Sequence, residues 1–177
     1  MASEVDQQPV AIVGLEQLVI GMDVGEAVQA PTSIFRFALP RRSLLARLTG
    51  RAFPRFAAGD LVGILPPGSD LPRYYSLASG TSDGWLEICV RKHPGGLCSG
   101  HLHALRPGDR IEAFIKPNPH FRPASGRAPV ILIGAGTGVG PLAGFVRGNR
   151  RRRPMHLALR HLGLAPPGPS RNGRGHG

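Results

Sequence analysis

The sequence predicts a mainly β fold that gives way to an α/β unit: a small antiparallel barrel of five or six strands, then a parallel strand leading through a glycine-rich turn into a helix. Three observations carry this. The 25 Gly and 18 Pro fill 43 of 177 positions, about a quarter, which suits a turn-rich chain better than a bundle or coiled coil. Short β-rich runs recur at close spacing as far as Ile115. At Val130-Ile131-Leu132-Ile133 the apolar residues become consecutive, as in a strand covered on both faces, and they run straight into Gly134 to Gly140.

The expected strands are Val10 to Ile20, Ile34 to Leu39, Gly59 to Leu65 (ended by Pro66-Pro67-Gly68), Tyr74 to Ala78, Trp85 to Val90 and Ile111 to Ile115. The connection Ser79 to Gly84 has hairpin composition and predicts that the fourth and fifth of these runs pair. Ser99 to Leu105 reads as a short helix capped by Ser99, and Arg106 to Arg110 as a turn. A Pro-rich linker from Pro117 to Pro129 separates the β part from the α/β part.

Length allows one domain or one and a fraction. No apolar run reaches the roughly 18 to 20 residues of a membrane helix, and Met1 to Glu4 lacks a basic signal-peptide start, so a soluble, cytoplasmic chain is expected. Two cysteines, Cys89 and Cys98, are too few for a disulfide framework or a four-ligand zinc site. His93, His101, His103 and His120 lack metal-ligand spacing and read as solvated, so no metal is expected. The net charge of +11 is uneven: Arg147 to Gly177 holds eight Arg and no acid, leaving +3 on the other 146 residues. With the charge in one tail and only 10 aromatic residues, a nucleic-acid partner is disfavoured.

Three segments carry chemistry. A strand, a glycine turn and a helix at Gly134 to Gly140 bring free backbone N–H groups and a positive helix end to one point, where a pyrophosphate can sit; the same pattern serves as a plain tight connection. In Arg73-Tyr74-Tyr75-Ser76, strand alternation places Arg73 and Tyr75 on one face and Tyr74 and Ser76 on the other. A guanidinium suits a phosphate and a phenol ring suits a flat heteroaromatic, although on this segment alone two core or cross-strand tyrosines beside a surface Arg are the more ordinary reading. Gly95-Gly96-Leu97-Cys98-Ser99 is a second glycine turn opening a helix, and two such turns imply two phosphate groups.

The ordered set Arg-x-Tyr-Ser, Gly-Gly-x-Cys-Ser-x-x-Leu, Pro-Asn-Pro-His-Phe-Arg-Pro and Gly-x-Gly-Thr-Gly-Val-Gly-Pro-Leu-x-Gly-Phe resembles the ferredoxin–NADP reductase superfamily. Within it the resemblance is to the FAD/NADPH module of sulfite reductase flavoprotein and NADPH–cytochrome P450 reductase, and it runs from about Phe53 to Arg147. It implies an antiparallel six-stranded FAD-binding barrel over residues 1–126, the start of a Rossmann-like NADP-binding domain over 127–157, and a low-complexity basic tail over 158–177.

Carried over, the resemblance puts Arg73 on the FAD phosphates, Tyr75 against the isoalloxazine with Tyr74 beside it, and Ser76, the catalytic candidate, near flavin N5. It puts the backbones of Ile88, Cys89 and Val90 along the flavin, and Gly96, Leu97, Cys98 and Ser99 on the FAD pyrophosphate. Gly136, Thr137 and Gly138 would meet the NADPH pyrophosphate. Cys98 becomes a core residue with a backbone role. The implied activity is transfer of electrons from NADPH through FAD to an FMN module, a haem protein or an iron–sulfur protein. A non-catalytic flavin-binding fragment is the alternative.

After Met155-His156-Leu157 the text turns Pro-, Gly- and Arg-rich and no longer matches the family. A nucleotide domain truncated or frameshifted there is the expectation, with residues from about Gly148 onward poorly packed and the Val130 to Ile133 strand marginal.

Overall fold

The computed structural model describes residues 10–13, 15–19, 31–39, 53–149 and 153–160. The strands are β1 (Val10–Val13), β2 (Leu15–Val19), β3 (Thr32–Ala38), β4 (Leu61–Leu65), β5 (Arg73–Ser76), β6 (Trp85–Arg91), β7 (Arg110–Lys116), β8 (Val130–Ala135) and β9 (Met155–Arg160). The helices are α1 (Leu97–Ala104) and α2 (Val139–Arg147). Residues 161–177, most of the basic tail expected over 158–177, lie outside the described residues.

The first seven strands form two antiparallel sheets, ordered β1-β7-β4-β5 and β2-β3-β6. A count of six is therefore not what the ladders give. The run expected as one strand from Val10 is two, because Val10 to Val13 pair with β7 while Leu15 to Val19 pair with β3. That stretch of chain thus passes from one sheet to the other within a residue. At the opposite corner the sheets meet at one bridge, Leu77 to Ile88, and the Ala78 N–H donates to the Glu87 carbonyl at 2.8 Å.

The hairpin expected across Ser79 to Gly84 reduces to that bridge. β5 pairs with β4, and β6 pairs with β3 along its whole length. The connection is taken up by a 3₁₀ turn over Thr81–Asp83, with Gly84 at φ 84° and the Asp83 carboxylate accepting from the Gly80 N–H at 2.8 Å. Turn composition marks a reversal of the chain; the longer ladders with β4 and β3 decide the partners.

Alternation sets the core. Phe35 and Phe37 from β3, Leu86, Ile88 and Val90 from β6, and Ile111, Ala113 and Ile115 from β7 point inward and are buried with Leu77 and Leu102. The odd residues of β6 face outward, yet Glu87 is buried there because α2 covers that face. The helix approaches by its small side. A Cβ on Gly140 would lie 2.9 Å from the Cβ of Cys89, and one on Gly144 would overlap the Ala78 carbonyl and lie 2.7 Å from the Ala58 Cβ.

A second, smaller cluster of Leu132, Leu142 and Phe145 joins α2 to β8, with Ala58 and Met155 against it and Phe121 edge-on to Phe145 at 5.2 Å. Strand β8 pairs in parallel with β9, Val130 opposite Met155 through Ala135 opposite Arg160. The segment after Gly148, expected to pack poorly, thus supplies a strand whose ladder runs through Arg160. Coverage of β8 on both faces is not observed: Leu132 is buried, whereas Ile131 and Ile133 are 69% and 74% exposed.

Asp60 fastens the linker to the β part. Its buried carboxylate accepts from the Ala57 and Asn118 N–H groups, each at 2.8 Å, and from the Arg122 guanidinium. Burial pushes the carboxyl up, but these three donors together outweigh it and hold it below the usual carboxylate range. Its contribution to stability is therefore complete above about pH 4 and is lost as pH falls through the lowered value. Urea unfolding from pH 7 down to pH 3 should show this slope, and Asp60→Asn should flatten it; an equal slope in both proteins contradicts the assignment.

Gly144→Ala sets a helix-propensity gain of up to about 1 kcal/mol against overpacking on a backbone carbonyl, typically about 1–3 kcal/mol. Overpacking should win and lower the thermal midpoint. A raised midpoint would show that α2 does not approach Ala78 this closely.

Candidate functional site

A cavity of about 320 Å³ opens where β5, the end of β6, the 92–96 turn and α1 converge. Arg73 and Tyr75 reach it from one face of β5, as alternation predicts. Cys89, Val90 and Arg91 come from β6; Gly96, Leu97, Cys98 and Ser99 come from the start of α1; Thr137 comes from the second glycine turn. Nine expected residues thus share one cavity across four separate stretches of chain.

The turn before α1 is built for close approach. Gly95 sits at φ 68°, in the left-handed region that glycine enters most readily, and a Cβ on Gly96 would come within 2.5 Å of the Ser99 Oγ. Gly96, and not Ser99, is the N-cap. Ser99 instead ties the turn together, its Oγ accepting from the His93 N–H at 3.1 Å and donating to the Gly96 carbonyl at 3.4 Å. The first N–H groups of α1, which have no intrahelical acceptor, open the helix at the cavity.

Electrostatically the site is one-sided. Arg73 and Arg91 line it and no carboxylate does. The Arg73 Nη1 donates weakly to the Leu71 and Pro72 carbonyls at 3.3 and 3.5 Å, and among the described residues no acid pairs with it. Burial raises the Tyr75 hydroxyl well above its ordinary range, the Cys98 thiol beside it adds to the rise, and Arg73 opposes it. Burial likewise raises the thiols of Cys98, against Tyr75 and Arg73, and of Cys89, helped by Glu87 and opposed by Arg91. At neutral pH all three groups are protonated, and the guanidinium charges of Arg73 and Arg91 face no anion in the cavity lining. A free fork, a half-buried phenol and a helix start whose Gly96 leaves no room for a side chain fit a phosphate-bearing aromatic ligand, and so fit FAD.

Other expected residues lie elsewhere. Tyr74 is 45% exposed on the opposite face of β5, edge-on to Phe114 at 6.0 Å and with the Lys116 Nζ 5.0 Å from its ring. Ser76 is half-buried in the ladder opposite Leu61. Ile88 is in the core, its backbone bridged by Phe35 on one side and Leu77 on the other, which removes it from the cavity wall. Gly136 and Gly138 flank Thr137 in a 3₁₀ turn without lining the cavity.

Arg91 and His93 are lining residues that motif reading missed. Parity on β6 would have found Arg91, two residues beyond Cys89. The Arg91 Nη2 lies 3.3 Å from where a Gly136 Cβ would stand, so this guanidinium spans the cavity edge and the second glycine turn. His103, read as solvated, is not: its ring packs edge-on to Phe35 at 5.2 Å and its Nε2 lies 3.3 Å from the Val90 carbonyl. Among the described residues no helix is long and apolar enough to cross a membrane.

The chain is 39% identical over 127 residues to the reductase subunit of an aromatic O-demethylase from Amycolatopsis sp., covering 66% of this chain and 37% of that one. It is 34% identical over 115 residues to the sulfite reductase [NADPH] flavoprotein alpha-component of Shewanella sp., covering 59% and 19%. The chain therefore spans well under half of these relatives. Among solved structures, the Amycolatopsis cytochrome P450 reductase superposes with a TM-score of 0.62 at 27% identity, over 92% of this chain and 46% of that one. The ferredoxin-NADP+ reductase of Plasmodium falciparum shares the fold at 17% identity, with a TM-score of 0.63 over 88% and 60%. Residues 20–118, more than half of the sequence, match the oxidoreductase FAD-binding domain family, and the chain belongs to that family.

Proposed function

We propose that this chain is the flavin-binding part of an NADPH-dependent reductase that hands electrons onward to an FMN module, a haem protein or an iron–sulfur protein. The observation that carries the reading is the convergence of two glycine turns: Gly96 to Ser99 and Thr137 line one cavity together with Arg73 and Tyr75. The relatives named for NADPH, sulfite reductase and P450 reduction support the donor and the class of acceptor. In this reading residues 1–126 act as one six-stranded barrel, with Val10 to Val19 counted as a single bent strand, residues 127–157 begin the nucleotide unit, and the protein is cytoplasmic.

Bound FAD would supply hydride acceptance and stepwise electron release; the protein supplies position and electrostatics. Arg73 would hold the FAD phosphates through its fork, together with the N–H groups of Leu97, Cys98 and Ser99. Tyr75, kept neutral by its burial, would offer a flat face to the ring system. Ser76, next to Tyr75 in the chain although outside the cavity lining, is the hydroxyl we assign to the edge of that ring, with Tyr74 on the outer face of β5. Cys89 and Val90 would close the cavity wall, with Ile88 supporting them from the core. Gly136 to Gly138 would receive the NADPH pyrophosphate next to Arg91.

Arg73→Ala removes a charge-assisted pair and should weaken FAD binding by about 10- to 100-fold in a fluorescence titration, corresponding to roughly 1.5–3 kcal/mol. Unchanged affinity would remove Arg73 from the site. The reaction itself is tested by anaerobic stopped flow: the FAD-loaded chain should be reduced by NADPH, and bleaching by dithionite alone contradicts the nucleotide half of the proposal.

Cys89 and Cys98 provide an independent readout, because both line the cavity and both thiols are pushed up. Labelling by a thiol reagent should be slow at pH 7, quicken as pH rises, and slow again when FAD is added. Labelling indifferent to FAD would place the flavin elsewhere.

A further inference from the structure

Two nucleotide-facing turns serve one reaction only if their spacing is fixed. Thr137 belongs to the turn that opens α2, and α2 ends at Arg147 against the outer face of β6. There the Arg147 Nη2 donates to the Glu87 Oε1 at 2.9 Å, its Nη1 donates to the Ala78 carbonyl at 3.2 Å, and the Asp83 Oδ2 lies 4.0 Å away. The other oxygen of Glu87 is taken by the Arg36 Nε at 2.6 Å. The Glu87 side chain is 3% exposed, so it is a buried carboxylate satisfied from both units at once. Its own N–H donates to the Ser79 Oγ, which donates in turn to the Trp85 carbonyl, each at 2.9 Å.

Strand β6 thus carries the helix anchor at Glu87 and the cavity wall at Cys89, Val90 and Arg91, only two to four residues further along. We propose that Arg147 is a positioning residue: through Glu87 and Arg36 it latches α2 to β6 and so fixes the Gly136-Thr137-Gly138 turn at the flavin cavity. The proposal rests on the functional reading above. Close packing at Gly140 and Gly144 makes the contact dense but apolar; the guanidinium, with one arm on Glu87 and the other on the Ala78 carbonyl, is directional and selects one position along the strand. Removing it leaves half of a buried charge uncompensated, which favours undocking of the helix.

The test compares the FAD-loaded wild-type chain with Arg147→Gln and Arg147→Lys. In Arg147→Gln the FAD dissociation constant should stay within about twofold, since the cavity residues are untouched. The rate of flavin reduction at saturating NADPH should fall about 10- to 100-fold, as expected of a misplacement near 1 Å. Arg147→Lys keeps the charge without the fork and should recover part of that loss. Hydrogen exchange of amides 139–147 should quicken about tenfold or more in Arg147→Gln while β3 and β7 amides stay unchanged, as for local opening of one unit.

Reduction of Arg147→Gln at the wild-type rate overturns the proposal. So does a loss of FAD affinity equal to the loss of rate, which would make Arg147 a general stability residue. Failure of NADPH to reduce even the wild-type chain contradicts the functional reading alone. The exchange arm then decides the latch, and unchanged exchange in α2 overturns it.

Discussion

Strand β6 carries a buried carboxylate, Glu87, on its outer face, and the two units meet around it. Even-numbered residues Leu86, Ile88 and Val90 fill the β core, which is routine for a half-buried strand. Glu87 on the other face would ordinarily be solvated, and once α2 covers it the charge must be matched. Arg36 matches it from the neighbouring strand and Arg147 from the helix. Arg36 is further placed by its guanidinium lying 5.4 Å from the Trp85 ring. The two units therefore share a wall, and the position of the helix start follows from the position of its end.

The same strand explains the character of the cavity. Where β6 leaves the covered region, Cys89 still touches Gly140, while Arg91 reaches past Gly136 toward the opening. Positive charge from Arg73 and Arg91 and the helix start lies around a phenol kept neutral, with the two thiols kept neutral as well. Such a site attracts phosphate and offers it no competing anion or nucleophile. Asp60 does a related task at a distance, joining the 57–60 turn to Asn118 and Arg122 so that the linker leaves the β part in one direction.

Period-two alternation made much of this legible in one sequence. It separated Arg73 and Tyr75 from Tyr74 and Ser76, and the two glycine turns marked both helix starts. Pairing partners were not legible. A polar, glycine-bearing connection at Ser79 to Gly84 looks like a hairpin, yet β5 and β6 take partners from β4 and β3, and nothing local distinguishes the two outcomes. In the Val10 to Val19 run, Gly14 separates a wholly apolar half from a mixed one, Leu15 to Val19, but composition does not say that the two halves take different partners. Strand β9 was hidden too: Met155 to Arg160 alternates, but it is a six-residue run between an Arg-Pro stretch and a Pro- and Gly-rich ending, and its ladder is templated by β8. Glu87 and Arg147 lie 60 residues apart, so their pairing depends on how α2 docks and leaves no local signature.

The account stands on the cavity being a site for a ring joined to phosphates. The most direct measurement is a titration of the chain with FAD, FMN and riboflavin, followed by flavin fluorescence and calorimetry at fixed salt. One FAD per chain is predicted, bound at least about tenfold more tightly than riboflavin, because Arg73 and the α1 N–H groups act on phosphate alone. Equal affinity for FAD and riboflavin, or no binding of any flavin, would contradict it.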